Sequence, residues 1–360
     1  MALDFPNSPT DGATYTSGGS TWIWSAAKGV WLPGGSGGAF LPIAGGAMTG
    51  PLTLADGGVA SSSYSGFVNK FRNGTFDFWQ RGTAITPTNG AYTADGWMVF
   101  FTGTAPTVNV ATNTGAGFKS RYALQMTGAA GNTGLQLTQR IESNVSSPLG
   151  GANVTVQIKV WQTTGAPLTP TLVVVHPTAA DNYASTATDV GPVNLQAVPS
   201  SVWTTVAYTF ALPGASAILG LQVNLGFGAL TANTVIVADA DIRATPGWPV
   251  GLCANPPPPE LRPISEERAF CQRYYEANST NNIYSGNITS GQAYYGPCVF
   301  FKVSKRVSPS ITATDGGVSG FPAGAPSIWT QGTEGFVPSK TANTTGTGFY
   351  IISWTASAEF

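Results

Sequence analysis

The chain has 360 residues, of which 9% are charged, and its 16 basic and 17 acidic residues leave a net charge of −1. Average globular proteins carry roughly 25% charged residues, and without a basic patch to neutralise phosphates the chain is not expected to bind nucleic acid. The 45 glycines, 26 prolines and 10 tryptophans favour short packed strands joined by turns and exclude wholesale disorder. The composition predicts an all-β protein with more than one domain.

The sequence predicts neither a secretion signal nor membrane insertion. The opening residues MALDFPNSP contain no basic and no apolar signal region, and no apolar run reaches the ~20 residues of a membrane span. Cys253, Cys271 and Cys298 are too far apart for CxxC chemistry and leave one unpaired. We therefore expect buried free thiols made in a reducing cytoplasm, with a Cys253–Cys271 disulfide as the alternative.

Residues 1–32 are predicted to form a small β-unit with the pattern strand, glycine turn, strand, turn. So short a unit can hardly bury a core alone, so we expect it to dock on another protein. It resembles N-terminal segments of bacteriophage tail-fibre and tail-associated proteins, in which Pro-x-x-Pro-Thr-Asp-Gly (here 6–12) precedes a Trp-x-Trp hairpin. The resemblance implies virion attachment through Pro6, Pro9, Tyr15, Trp22, Trp24 and Trp31.

Residues 33–66 are predicted to be a glycine-rich linker followed by a fibre-type element. The segment 41–54, LPIAGGAMTGPLTL, resembles an element of phage fibre proteins in which a Thr-Gly-Pro-Leu step leads to a strand wound about a trimer axis. A segment this short cannot bury its apolar side chains within one chain, which agrees with a homotrimer. The expected trimerisation residues are Leu41, Ile43, Met48, Leu52 and Leu54; an ordinary linker with a stray strand is the alternative.

Residues 67–247 are predicted to form a jelly-roll β-sandwich. Apolar residues alternate with polar ones in VTVQIKVW (154–161) and LGLQVNLGF (219–227), the period of a half-buried strand. Turn-rich gaps separate such segments, as in a sandwich.

The polar side of these strands is the candidate carbohydrate-binding surface. An aromatic ring can cover the apolar face of a pyranose while amides bond its hydroxyls. The candidates are Gln157, Lys159, Trp161, Gln222 and Asn224. The alternative is that this face packs against another layer or subunit, with Trp161 in a core.

Several segments, in this order, resemble a jelly-roll module of phage and prophage tail proteins that is similar to carbohydrate-binding modules. The resemblance covers roughly residues 67–310. This chain departs from the module at 247–261, where the segment before Arg-Pro is longer than in the module. The segments are FRNGTFDFWQRGT (71–83), YTADGWMV (92–99), QRIES (139–143), the strand ending in Trp161, Trp203 before a strand, RPI (262–264) and CQRYYE (271–276).

Residues 248–277 are predicted to be a proline-rich crossing and one short α-helix at the joint between two β-modules. Pro263 precedes the helix, Ser265 is the expected cap, and Glu266 and Glu267 suit the helix dipole in the first turn. Residues 278–360 are predicted to form a small C-terminal β-module.

Catalytic and cofactor sites are not expected. The single histidine, His176, is interpreted as a strand-end residue without a catalytic role, and no cofactor motif occurs. Asp77 and Asp95 could be a glycosidase pair, but structural hydrogen bonding is favoured for both. Asp239 and Asp241 are weak calcium candidates, with a solvated strand face as the preferred interpretation.

These patterns and resemblances predict a structural, non-enzymatic phage virion protein without cofactors. It is expected to be a homotrimeric tail fibre that contacts other virion proteins through its N-terminus and binds a host surface glycan or receptor. Two alternatives stay open: a head or tail decoration protein whose jelly roll serves only assembly, and a glycan-degrading spike.

Overall fold

The computed structural model of the chain describes residues 5–17, 20–33, 67–113 and 117–360. The chain divides into two compact units, Met1–Gly50 and Pro51–Phe360, and each is described by itself. The predicted linker and the predicted trimerisation residues Leu41, Ile43, Met48, Leu52 and Leu54 lie outside the described residues.

The first unit is a three-stranded antiparallel sheet held by aromatic contacts. Its strands are β1 (Thr14–Ser17), β2 (Ser20–Ser25) and β3 (Val30–Pro33), in that order across the sheet. The Phe5 ring lies 5.1, 5.5 and 5.3 Å from the rings of Tyr15, Trp22 and Trp31, and Trp24 lies 5.6 Å from Trp31. All four of these tyrosine and tryptophan side chains remain half-exposed, whereas Pro6 is exposed and Pro9 half-exposed.

The second unit begins with thirteen strands and two single helical turns, α1 (Ser143–Ser146) and α2 (Gly214–Ala217), that the sequence did not predict. A 3-10 turn at Ser147–Leu149 follows α1. The strands are β4 (Ala84–Ile85), β5 (Ala91–Tyr92), β6 (Trp97–Gly103), β7 (Thr107–Thr112), β8 (Tyr122–Thr127), β9 (Asn132–Ile141), β10 (Asn153–Gln162), β11 (Thr171–Ala179), β12 (Asn182–Asn194), β13 (Thr204–Ala211), β14 (Leu221–Gly228), β15 (Thr234–Ala244) and β16 (Gly251–Leu252).

These strands form a jelly-roll sandwich of two antiparallel sheets. The seven-stranded sheet has the order β16-β13-β10-β15-β8-β7-β4, and the six-stranded sheet has the order β12-β11-β14-β9-β6-β5. The alternating apolar residues of β10 and β14 lie buried between the sheets, together with Trp97 and Leu137. The predicted all-β jelly-roll class is therefore confirmed.

The predicted helix is present but shorter than the pattern suggested. It spans α3 (Ile264–Gln272), and Pro263 occupies the N-cap position without any side-chain cap. The expectation that Ser265 caps the helix is wrong, because Ser265 lies inside the first turn and is exposed. Glu267 is buried, accepts a hydrogen bond from the Asn73 backbone N–H and pairs with Arg262 at 2.9 Å. The Glu267 carboxylate therefore ties α3 both to Asn73 of the sandwich and to the crossing segment that precedes the helix.

The C-terminal module consists of two small sheets around one core. The first has the order β17-β23-β20, and the second has the order β18-β22-β19, with β21 also paired to β22. Ile288, Phe336, Tyr350 and Trp354 are buried between them. The strands are β17 (Tyr275–Ile288), β18 (Ala293–Tyr295), β19 (Val299–Phe300), β20 (Ser310–Ser319), β21 (Ser327–Gln331), β22 (Gly335–Thr341) and β23 (Gly346–Ser357).

The segment after β23 joins this module to the sandwich. Glu359 forms ion pairs with Arg72 and, at 3.2 Å, with Arg81, and all three side chains are largely buried. The Phe360 ring packs 4.9 Å from Tyr183 and 5.9 Å from Tyr274. The joint between the two modules is therefore formed by this segment as well as by the predicted helix.

The thiols differ in exposure. All three cysteines are free, but Cys271 alone is buried, Cys253 is intermediate and Cys298 is exposed. The expectation of buried thiols thus holds for Cys271 and is wrong for Cys298. Burial raises the pKa of the Cys271 thiol well above its ordinary value. Among the described residues, no helix has the length and hydropathy of a transmembrane span.

Candidate functional site

The five predicted carbohydrate-binding residues do not share one surface. Gln157, Lys159 and Trp161 lie on β10 in the seven-stranded sheet, whereas Gln222 and Asn224 lie on β14 in the six-stranded sheet. Since the inward residues of both strands meet in the core, the outward residues point away from each other. The prediction of a single face for all five is therefore wrong.

On the seven-stranded sheet, the proline-rich crossing covers part of the outer face. Gln157 is 3% exposed, and its amide donates a hydrogen bond to the Pro257 carbonyl at 2.6 Å. Arg243 donates to the Pro258 carbonyl at 2.9 Å, and the Glu260 N–H donates to Asp241 at 2.8 Å. A ligand cannot reach Gln157 without displacing this crossing.

Beside the crossing, the same face carries a small apolar cluster and two half-exposed side chains. The Trp203 and Phe118 rings lie 4.9 Å apart beside the buried Ala123 and Ala238. Lys159 donates to the Gly117 carbonyl, and the Trp161 side chain is half-exposed. The alternative in which this face packs against another layer therefore holds for Gln157 under the proline-rich crossing, whereas its placement of Trp161 in a core is wrong.

The outer face of the six-stranded sheet carries a different set of side chains. Backbone pairing places its outward residues in three rows, two of which run across β6, β9, β14 and β11 and one across β9, β14 and β11. The rows are Phe100, Gln136, Gly226 and Thr171, then Met98, Thr138, Asn224 and Val173, and finally Arg140, Gln222 and Val175.

Five of these side chains form a connected set that we call the polar ladder: Gln136, Thr138, Arg140, Gln222 and Asn224. Asn224 Oδ1 accepts hydrogen bonds from Thr138 at 2.9 Å, Gln222 at 3.1 Å and Gln136 at 3.2 Å. Arg140 Nε donates to Gln222 Oε1 at 2.8 Å. These bonds fix the orientations of the ladder side chains in advance of any ligand.

The ladder retains polar groups that a ligand can use. Among the described residues, Asn224 Nδ2 and Gln136 Oε1 have no hydrogen-bond partner, and neither atom is a buried unsatisfied one. One of these groups is a donor and the other an acceptor. Because a sugar hydroxyl both donates and accepts, this pair suits a carbohydrate.

Two glycines create a hollow beside the ladder. Gly134 and Gly226 occupy outward strand positions, where any other residue would project a side chain. With Phe100, Gln136 and Asn89 they line a depression of about 400 Å³. Its size lies within the roughly 300–1,000 Å³ of small-ligand sites, and its aromatic and amide groups match those that the sequence analysis sought on β10.

The sequence analysis missed Phe100, Gln136, Thr138 and Arg140. A signal was present, because Gln136, Thr138 and Arg140 alternate with Leu135, Leu137 and Gln139 along β9. The pattern shows that these residues point outward but does not show that β9 pairs with β14.

The carboxylates of the two calcium candidates already have partners within the protein. Asp239 accepts hydrogen bonds from the backbone N–H groups of Lys119 and Ser120 at 2.7 and 2.8 Å, and Asp241 pairs with Arg243. Both carboxylates are buried, so the preferred interpretation of a solvated strand face is wrong. No group of three His, Cys, Asp or Glu residues suited to a metal occurs in the described part of the chain.

The remaining candidates also make local contacts. His176 lies within β11 rather than at its end, and its Nδ1 is 2.8 Å from Asp189 Oδ2. Asp77 accepts a hydrogen bond from Thr75 at 2.6 Å, and Asp95 accepts one from the Gln80 side chain at 2.6 Å. Burial raises the pKa of Asp95, while the Gln80 bond and the Arg81 charge lower it.

Comparison with known proteins finds partial structural similarity. No family model and no curated protein matches the chain. The enzymatically active domain of tailspike protein 4 of bacteriophage CBA120 is 12% identical with a TM-score of 0.34, over 49% of this chain and 22% of that one. A carbohydrate-binding module from the β-sandwich superfamily, described as promiscuous in specificity, is 15% identical with a TM-score of 0.31. The match covers 42% of this chain and 58% of that one.

A further solved structure, that of a CBM4 module, is 18% identical with a TM-score of 0.32, over 48% of this chain and 98% of that one. The matched region spans less than two thirds of the tailspike chain and of the promiscuous module. At such identities and scores, these proteins carry no statement about what this chain binds.

Proposed function

We propose that this protein binds a glycan on the outer face of its six-stranded sheet, without catalysing its cleavage. The observation that carries the proposal is the polar ladder beside the glycine-formed hollow. Phe100 offers a ring to the apolar face of a sugar, and the free amide groups of Asn224 and Gln136 are placed for its hydroxyls. The fixed ladder reduces the entropy lost on binding.

Filling the hollow is expected to weaken binding without disturbing the fold. A Cβ added at Gly134 would have Thr102 Oγ1 at 3.5 Å as its nearest neighbour, which is an ordinary contact. Gly134→Val therefore adds a β-branched residue suited to a strand while it occupies ligand space. We expect its affinity for a bound polysaccharide to fall at least tenfold, measured by affinity electrophoresis and calorimetry with a panel of neutral and acidic polysaccharides.

Gly191→Val is the matched control, because Gly191 lies on β12 of the same sheet with nothing within 4 Å of an added Cβ. The control is expected to bind as the native chain does. The proposal fails if the native chain binds no polysaccharide of the panel, or if Gly134→Val binds as well as Gly191→Val.

We also propose that the glycan belongs to a bacterial surface and that the protein is a trimeric phage tail fibre. The support is the sequence resemblance of residues 1–32 and 41–54 to phage fibre proteins. The aromatic side chains of the first unit stay half-exposed, which leaves apolar surface for docking on another virion protein. Light scattering on the purified chain should then give three times the chain mass of 37.1 kDa; a stable monomer would exclude the trimer.

A further inference from the structure

A second cavity lies next to the polar ladder, and it is rich in cations. It has a volume of about 280 Å³ and lies where β9 ends and α3 crosses the sandwich. We call it the arginine pocket, and the lining residues used in the argument are Phe67, Lys70, Arg72, Arg140, Arg262 and Tyr274. Arg140 belongs to both structures, since it also donates to Gln222 of the ladder.

The cations of this pocket are not all neutralised by the protein. Arg72 pairs with Glu359, and Arg262 pairs with Glu267 and, through Nε at 3.6 Å, with Glu260. Glu142, the one carboxylate among the described lining residues, is bound to Arg273 at 2.9 Å and to the Tyr274 hydroxyl at 2.8 Å. Among the described residues, Lys70 and Arg140 form no ion pair with an aspartate or glutamate, and the pocket lining contains four cations and one carboxylate.

The hydrogen-bond donors of these residues are also incompletely used. Lys70 Nζ donates to the Phe67 carbonyl at 2.8 Å, and Arg140 Nη1 donates to the Phe360 carbonyl at 3.3 Å. Arg140 Nη2 has no acceptor in the described part of the chain. The Nε atoms of Arg72 and Arg262 are buried without a hydrogen-bond partner, a condition that native structures rarely leave unexplained. Arg262 Nε has the Glu260 carboxylate at 3.6 Å, beyond hydrogen-bond distance.

The electrostatic environment of Lys70 agrees with a missing anion. Burial lowers the pKa of its ammonium, and the Arg262 charge lowers it further, whereas Glu260 raises it. A negative group in the pocket would stabilise the ammonium and satisfy the free donors of Arg140. Charge-assisted hydrogen bonds of this kind are roughly twice as strong as neutral ones.

We propose that the arginine pocket receives the carboxylate of an acidic sugar, so that the bound glycan is a uronic-acid polysaccharide. The inference rests on the proposed glycan-binding function. Arg140 reaches the ladder and the pocket at once, so the anion must be carried close to the sugar ring that the ladder contacts. A uronic acid meets this requirement, because its carboxylate is attached directly to the ring. The pocket volume suits one such residue and not an oligosaccharide.

The test compares one polysaccharide before and after chemical reduction of its carboxylates to primary alcohols. Polygalacturonate, alginate and hyaluronan are suitable probes, each beside its carboxyl-reduced form, with affinities measured by calorimetry. We expect the acidic form of the preferred probe to bind at least tenfold more tightly than the reduced form. The ratio of acidic to reduced affinity should fall as the salt concentration is raised, because salt screens the attraction between the carboxylate and the cations of the pocket.

A charge-removing variant connects this preference to the pocket. Lys70→Gln is expected to reduce the ratio of acidic to reduced affinity severalfold. Lys119→Gln, which removes an exposed charge beside Asp239 on the other sheet, is expected to leave the ratio unchanged. Equal binding of both forms by the native chain would overturn this inference and leave the proposed function standing. Binding of neither form of any probe would also overturn this inference, and the proposed function would then stand or fall on the neutral polysaccharides of the panel.

Discussion

Replacing Glu276 with alanine is expected to destabilise the folded chain by about 3–5 kcal/mol. Glu276 Oε2 lies 2.6 Å from Lys305 Nζ, and the two side chains are 1% and 0% exposed. The truncation leaves the Lys305 ammonium buried with no carboxylate, beside the Gln272 carbonyl and the Phe301 ring at 4.7 Å. An uncompensated buried charge costs far more than the loss of a surface ion pair. Guanidinium unfolding followed by tryptophan fluorescence measures the change.

The pH dependence of the unfolding free energy of Glu276→Ala tests whether the unpaired Lys305 ammonium causes the loss of stability. Burial lowers the pKa of Lys305 from its ordinary value, while the hydrogen bond and charge of Glu276 raise it. Without Glu276 the folded-state pKa should fall further below the unfolded one. The unfolded chain then binds more protons, so the free energy of unfolding should increase as pH rises from about 7 towards 10.

Glu334→Ala is the control for this pair, because it removes an exposed carboxylate from the same module. Its effect should stay within about 0.5 kcal/mol. A loss below about 1 kcal/mol in Glu276→Ala would show that water or rearrangement satisfies Lys305, which would contradict the buried-charge argument.

Replacing Glu359 with alanine is expected to cost about 3–5 kcal/mol and to separate the unfolding of the C-terminal module from that of the sandwich. Glu359 holds the guanidinium groups of Arg72 and Arg81, which lie 3.7 Å over the Tyr274 ring and 3.5 Å over the Tyr275 ring. Both cations lose their shared carboxylate in the variant. Calorimetry should therefore resolve separate transitions for the two modules in the variant, and we expect them to unfold in one joint transition in the native chain.

Glu266→Ala supplies the comparison, since Glu266 is an exposed carboxylate on α3 near the same joint. It should unfold as the native chain does. An unchanged single transition in Glu359→Ala would mean that the aromatic contacts of Phe360 and the helix hold the two modules together without the ion pairs.

Much of the fold follows from the order of residues. The alternation in β10 and β14 correctly predicts which side chains enter the core, because strand geometry sends neighbouring residues to opposite faces. The position of α3 follows from Pro263 and the acidic first turn, although the helix ends at Gln272. The end differs because Tyr275 already pairs with Ser357 in β17, a tertiary contact that overrides local propensity.

Only part of the candidate site can be predicted from the sequence. Gln222 and Asn224 were identified as outward polar residues, and both belong to the ladder. Gln157 has the same pattern in the sequence, yet the proline-rich crossing covers it. Whether an outward residue meets solvent depends on segments far away along the chain, and periodicity contains no information about them.

By itself, the sequence determined the all-β class, the inside and outside of the main strands and the location of the helix, since these depend on neighbours along the chain. The tertiary structure decided which strands share a sheet. That choice brought Arg140 of β9 beside Gln222 of β14 and placed Trp161 on the opposite surface. The physical reason is that a period of two separates inward from outward residues, whereas long-range backbone pairing selects which of the two outer faces each residue joins.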